Sequence, residues 1–83
     1  MSAASPERLV YMANQIARFF ASQPGEAAAA TADHLRAFWA PAMRKEIIAW
    51  VEAGGGGLDP VAAGAVALLR QSAQGKAHGD APA

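Results

Sequence analysis

The sequence predicts an all-α protein, a small bundle of four short helices with a disordered C-terminal tail. Three observations predict it. Hydrophobic residues make up 53% of the 83-residue chain, and much of that share is alanine, the strongest helix former. Large apolar side chains recur at spacings of three and four, the period of a helix face. Prolines then stand at positions suited to the first turn of a helix, and glycines follow the apolar runs where helices end.

The first helix, about residues 6–21, is announced by S-P-E-R. Ser5 is a good N-cap, Pro6 sits where its missing N–H costs nothing, and Glu7 lies at the positive end of the helix dipole. Leu9, Met12, Ile16 and Phe20 form its apolar stripe, with Ala13 and Ala17 on the same side. Tyr11, Asn14 and Arg18 fall opposite. S-Q-P-G at 22–25 breaks the run. A second helix is expected over about residues 26–40, with Ala28, Ala32, Leu35 and the Phe38/Trp39 pair as its buried face.

Pro41 forces a boundary, because the residue before a proline is pushed out of the α region. It also opens a third helix, about residues 41–53, on which Met43, Ile47, Trp50 and Val51 share a side and Ile48 widens the arc. That arc is broader than one short partner helix covers. Gly54 to Gly57 end it. Asp59 and Pro60 start the fourth helix, about residues 60–70, with Val61, Ala65, Leu68 and Leu69 inward. Gly64 within it points to a close approach of a neighbouring helix or to fraying. Residues 5–71 are therefore read as the helical domain, residues 1–4 as a flexible N-terminus and 72–83 as a flexible tail without periodicity.

Composition narrows the function. Seven basic and seven acidic residues cancel, so there is no positive field for nucleic-acid binding and no cationic face for a membrane surface. Cysteine is absent, which removes thiolate catalysis and cysteine-held zinc or iron–sulfur sites from this chain. No apolar run approaches the length of a membrane span, and MSAASPERLVYM has neither a basic leader nor a signal-type apolar core. A cytoplasmic location is the expectation. So small and alanine-rich a core predicts marginal stability alone, supplemented by a partner or by self-association.

Reactive groups do not converge. His34 and Asp33 are adjacent on a helix and point about 100° apart, a poor dyad. Asp33 and Arg36 are spaced for a surface ion pair. The GGGG run lacks the preceding strand and the Gly-Lys-Ser/Thr ending of a phosphate loop, and Asp59 would repel the anion. It reads as a flexible inter-helix link. The aromatics carry the remaining information. Phe38 and Trp39 cannot point the same way, and at least one of Trp39 and Trp50 should leave part of its indole at the surface, where tryptophan is a favoured interface anchor. Tyr11, beside Arg18, could serve likewise.

LVYMANQIARFF at 9–20, DHLRAFWAPAMR at 33–44 and GLDP at 57–60 together resemble the small delta subunit of NAD-dependent, molybdenum-containing formate dehydrogenase. The resemblance covers most of residues 5–70. It departs at Ala40 and Ala42, where the family pattern usually has Asp before the proline and Arg after it. Trp39, Pro41, Met43 and Arg44 still match. The resemblance implies an accessory subunit without catalytic residues, supporting assembly, stability or the cofactor-loaded state of a complex that oxidises formate and passes electrons to NAD. It implies that no cofactor is bound here. The alpha subunit, the implied docking partner, would hold bis-molybdopterin guanine dinucleotide and iron–sulfur clusters, and the beta and gamma subunits FMN, further clusters and the NAD site. The interface set it implies is Tyr11, Arg18, Phe20, His34, Phe38, Trp39, Met43 and Arg44, to which the broad third-helix arc adds Trp50. Competing readings are a transient maturation factor for molybdenum cofactor insertion, a self-associating helical regulator, and a small enzyme using His34.

Overall fold

The computed structural model describes residues 5–79, with side chains as far as Ser72. It is all-α, with four helices and no strand among the described residues: α1 (Pro6–Ala21), α2 (Ala27–Phe38), α3 (Pro41–Glu52) and α4 (Pro60–Gly79). The starts follow from local chemistry. Ser5 Oγ accepts from the Arg8 amide at 3.2 Å, and Asp59 Oδ1 accepts from the Ala62 amide at 2.8 Å, each with a proline next in sequence. Glu26 and Ala40 precede α2 and α3 without any side-chain cap.

The ends differ from expectation in two places. α2 stops at Phe38: Trp39 is already extended at φ −88°, ψ 140°, one residue ahead of Ala40, which directly precedes Pro41 and is extended in turn at φ −63°, ψ 149°. α4 continues to Gly79 instead of ending near residue 70. The expectation rests on the loss of apolar periodicity, which reports burial rather than helicity. Gln71, Ala73, Gln74, Lys76 and Ala77 are good helix formers, and no proline intervenes before Pro82. Of the expected flexible ends, residues 1–4 and 80–83 lie outside the described residues.

All four helices touch one another, and α2 makes its most extensive packing against α4. Small residues permit it: a Cβ on Gly64 would lie 3.2 Å from Ala28 Cβ, so the close approach is real and a larger residue would have to push Ala28 back by a few tenths of an ångström. Leu9, Val10, Ala13 and Ala17 of α1, Ala32 and Leu35 of α2, Ile47 of α3, and Ala62, Ala65, Val66 and Leu69 of α4 are buried, with Trp39 closing the set. Val10 thus enters the core on α1, while Met12 and Ile16 pack on its border. On α4, likewise, Ala62 and Val66 are interior and Val61 and Leu68 peripheral.

The link between α3 and α4 is held rather than loose. The Gly55 amide donates to Trp50 O at 2.8 Å and the Gly54 amide to Val51 O at 3.0 Å. This is the Schellman closure, with Gly54 at φ +92° as the left-handed residue. The indole of Trp50 lies over Gly55, where a Cβ would overlap the ring, and its Nε1 donates to Gly56 O at 3.0 Å. Asn14 on α1 uses both ends of its amide: Nδ2 donates to Gly57 O and Oδ1 accepts from the Asp59 amide, each at 2.9 Å. Asn14 is therefore a clasp between α1 and the link, not a residue of the solvent face.

Thr31 is the exception to polar satisfaction, fully buried with no partner for Oγ1. An unpaired buried hydroxyl costs about 1–3 kcal/mol, and valine has the same shape and similar helix propensity. Thr31→Val should therefore raise the thermal midpoint by several degrees, about 4–8 °C per kcal/mol in a chain of this size. A lowered midpoint in a circular-dichroism melt would mean that the hydroxyl is paired after all.

Candidate interaction surface

The residues singled out from the sequence divide into an interior and a surface group. Trp39 is only 6% exposed and belongs to the core of this chain. Met43 and Trp50 are half-buried and pack against that core. Trp50 is the tryptophan that keeps part of its indole at the surface. Arg44 is also half-buried, and its guanidinium works within the chain: Nη1 donates to Arg36 O at 2.8 Å and, at 3.5 Å, to Trp39 O. A cation on the last carbonyls of α2 satisfies orphan acceptors and the negative end of its dipole.

The surface group lies on α1 and α2. Tyr11 is 64% exposed and accepts a 2.6 Å hydrogen bond from Gln15 Nε2. Arg18, one turn beyond Gln15, is exposed as well. Phe38 is 74% exposed and Phe19 59%. These two are joined by a continuous run of rings. Phe19 meets Phe20 edge to face with centroids 5.1 Å apart, Phe20 meets His34 at 6.0 Å, and His34 meets Phe38 at 4.6 Å. Phe20 and His34 are half-buried beneath the two outer rings.

Phe19 is the residue that the sequence reading missed. The signal was present: two consecutive phenylalanines on a helix cannot both face one core, and the stripe through Leu9, Met12 and Ile16 favours Phe20. Phe38 owes its exposure to the early end of α2. The chain turns inward at Trp39, which takes the interior position, and Phe38 is left outside.

His34 faces rings rather than reactive groups. Its neighbour Asp33 is bound to Arg36 Nη1 at 2.7 Å. No group of three or more His, Cys, Asp or Glu residues among the described residues is placed to hold a metal ion. With no cysteine in the chain, an iron–sulfur cluster would have no thiolate ligand here. No helix among the described residues is long and apolar enough to cross a membrane.

A cleft of about 310 Å³ opens elsewhere, between the end of α2, the start of α3 and α4. Arg36, Arg44 and Lys45 stand around it, and Pro41, Ile48 and Leu69 form its apolar lining.

Comparison with known proteins adds one match. The family model of the NADH-dependent formate dehydrogenase delta subunit FdsD covers residues 8–66, well over half of the chain. No curated protein and no solved structure matches.

Proposed function

The chain belongs to the family of formate dehydrogenase delta subunits, non-catalytic accessory subunits of that enzyme, and from this premise we propose that it docks on the large alpha subunit through the Phe19–Phe20–His34–Phe38 surface. The observation that carries the proposal is the exposure of Phe19 and Phe38, at 59% and 74%, in a chain too alanine-rich to leave aromatic area unused. Fully burying one such side chain is worth about 1.5–3 kcal/mol. The two outer rings stand against Phe20 and His34 and make one continuous aromatic run with them. Tyr11 and Arg18, exposed along the solvent side of α1, extend it with polar contacts.

In this role the subunit contributes shape, and the complex contributes the chemistry. The molybdenum cofactor, iron–sulfur clusters, FMN and NAD site belong to the alpha, beta and gamma subunits in this proposal. Docking stabilises the alpha subunit in its assembled, cofactor-loaded form, in the cytoplasm.

Tagging the full chain, purifying it from native cells and measuring the intact mass of what accompanies it tests the reading. One copy per alpha subunit in active enzyme is the expected result. Loss of the chain from mature, active enzyme would make it a transient maturation factor. Recovery only as a homodimer would make it a self-associating regulator.

A further inference from the structure

The cleft between α2, α3 and α4 shares no lining residue with the aromatic surface, and its charge is uneven. The chain carries seven Lys and Arg residues in balance with seven acids, yet three of those cations surround this one cleft. The acid in contact with them among the described residues is Asp33, bound to Arg36 Nη1 at 2.7 Å, while Arg36 Nη2 donates to Ser72 Oγ on the cleft wall at 2.7 Å. Arg44 is hydrogen-bonded to neutral carbonyls, which orient its guanidinium without cancelling its charge. Lys45 forms no ion pair among the described residues. The first turn of α3, at the edge of the cleft, has no acidic residue, and Ala40 supplies no side-chain cap, so the positive end of that helix dipole adds to the same field. Beside the cations and Ser72, the rest of the lining is apolar, from Pro41, Ile48 and Leu69.

Cations and apolar side chains lining one cleft select a particular occupant. A free inorganic anion would use the cations and leave the apolar lining wet. A purely apolar side chain would use that lining and bury uncompensated charge near the cations. A polypeptide segment with a carboxylate beside a large apolar residue satisfies both.

We propose that this cleft is a second docking point, which receives an Asp or Glu side chain and an adjacent apolar side chain from the protein partner. The inference rests on the docking role proposed above and assigns it a charged contact distinct from the aromatic surface. The partner carboxylate pairs with Lys45 in the field of Arg36, whose Nη1 and Nη2 stay on Asp33 and Ser72, and its apolar neighbour covers Ile48 and Pro41. Arg44 remains on the carbonyls that end α2 and contributes field rather than a displaced bond. The two docking points then have different physics: the aromatic surface is insensitive to salt, whereas the cleft contact weakens as salt screens it.

The test is a competition in cells between the untagged wild-type chain and tagged full-length variants, read as their ratio in the purified complex by intact mass, followed by washes of increasing salt. Lys45 is exposed and has no described intrachain partner, so Lys45→Glu should leave the helical circular-dichroism spectrum unchanged. It is expected to lose the competition by about tenfold or more, with Lys45→Gln between it and wild type. The wild-type chain should be released progressively by salt, and the Lys45→Glu chain should show a flatter salt dependence.

Equal incorporation of Lys45→Glu and wild type overturns the cleft proposal and leaves the docking role intact. Failure of the wild-type chain itself to enter the complex overturns both. Two further outcomes reassign the cleft and equally overturn the proposal. One is specific binding of inorganic phosphate by the isolated full chain, lost in Lys45→Glu. The other is a wild-type homodimer that Lys45→Glu dissociates.

Discussion

Trp39→Ala is expected to destabilise the fold by about 3–5 kcal/mol, the usual cost of deleting a buried tryptophan side chain. Domains of this length have on the order of 4–12 kcal/mol in total, at about 0.05–0.15 kcal/mol per residue, so the variant should lose much or all of its cooperative melt. The reason lies in the turn from α2 to α3. Trp39 is 6% exposed, its amide closes the end of α2 on Leu35 O at 2.9 Å, and its extended backbone sends the indole into the core. Few other large side chains fill that core. Leu9, Leu35, Ile47 and Val66 are the largest apolar side chains fully enclosed, and the rest of the buried set is rich in alanine. Alanine neighbours cannot expand to fill the vacated volume. Circular-dichroism melts of the isolated full chain provide the measurement. An unchanged midpoint would place the indole outside the core and return Trp39 to the surface group.

Much of this fold was legible because its boundaries are written in local chemistry. Pro6, Pro41 and Pro60 mark first turns, Ser5 and Asp59 cap their helices, and Gly54 closes α3. The close approach at Gly64 was also foreshadowed by an unfavourable residue inside a helix. Side-chain direction was less legible at the ends of elements. A continuous helix through residue 40 would place Phe38 and Trp39 on neighbouring faces of one cylinder. The actual break at Phe38 rotates one ring inward and leaves the other in water. Contacts between residues far apart in sequence were not legible at all. Asn14 reaches the 57–59 link and Arg44 reaches back to the carbonyls of α2, and neither residue type, at its place in a helical pattern, announces such a partner. Membership of the family was carried by combined segments whose individual residues have no diagnostic chemistry. For that reason burial, and not residue type, separates the exposed aromatics from the core.

The opposite signature to Trp39→Ala is expected for Phe19→Ser combined with Phe38→Ser. Both rings are mostly solvated, so their removal should change the stability of the isolated chain by no more than about 0.5 kcal/mol per site, and a small gain in solubility is expected. Association should fall sharply. Aromatic anchors near the centre of an interface typically cost about 2 kcal/mol or more each when truncated, which is roughly thirtyfold in affinity per residue. In the same cellular competition, the double variant should be nearly absent from the formate dehydrogenase complex while retaining its melt and helicity. Phe38 alone should account for the larger share, because it is the more exposed ring and rests on His34, while Phe19 sits at the edge of Phe20. Normal incorporation of the folded double variant would remove the aromatic surface from the interface. Normal incorporation accompanied by conversion of an isolated dimer to a monomer would assign the same rings to self-association. A fold that depends on Trp39 and a complex that depends on Phe38 would show that adjacent aromatics in one short segment serve different tasks, divided by the backbone turn that Pro41 imposes between α2 and α3.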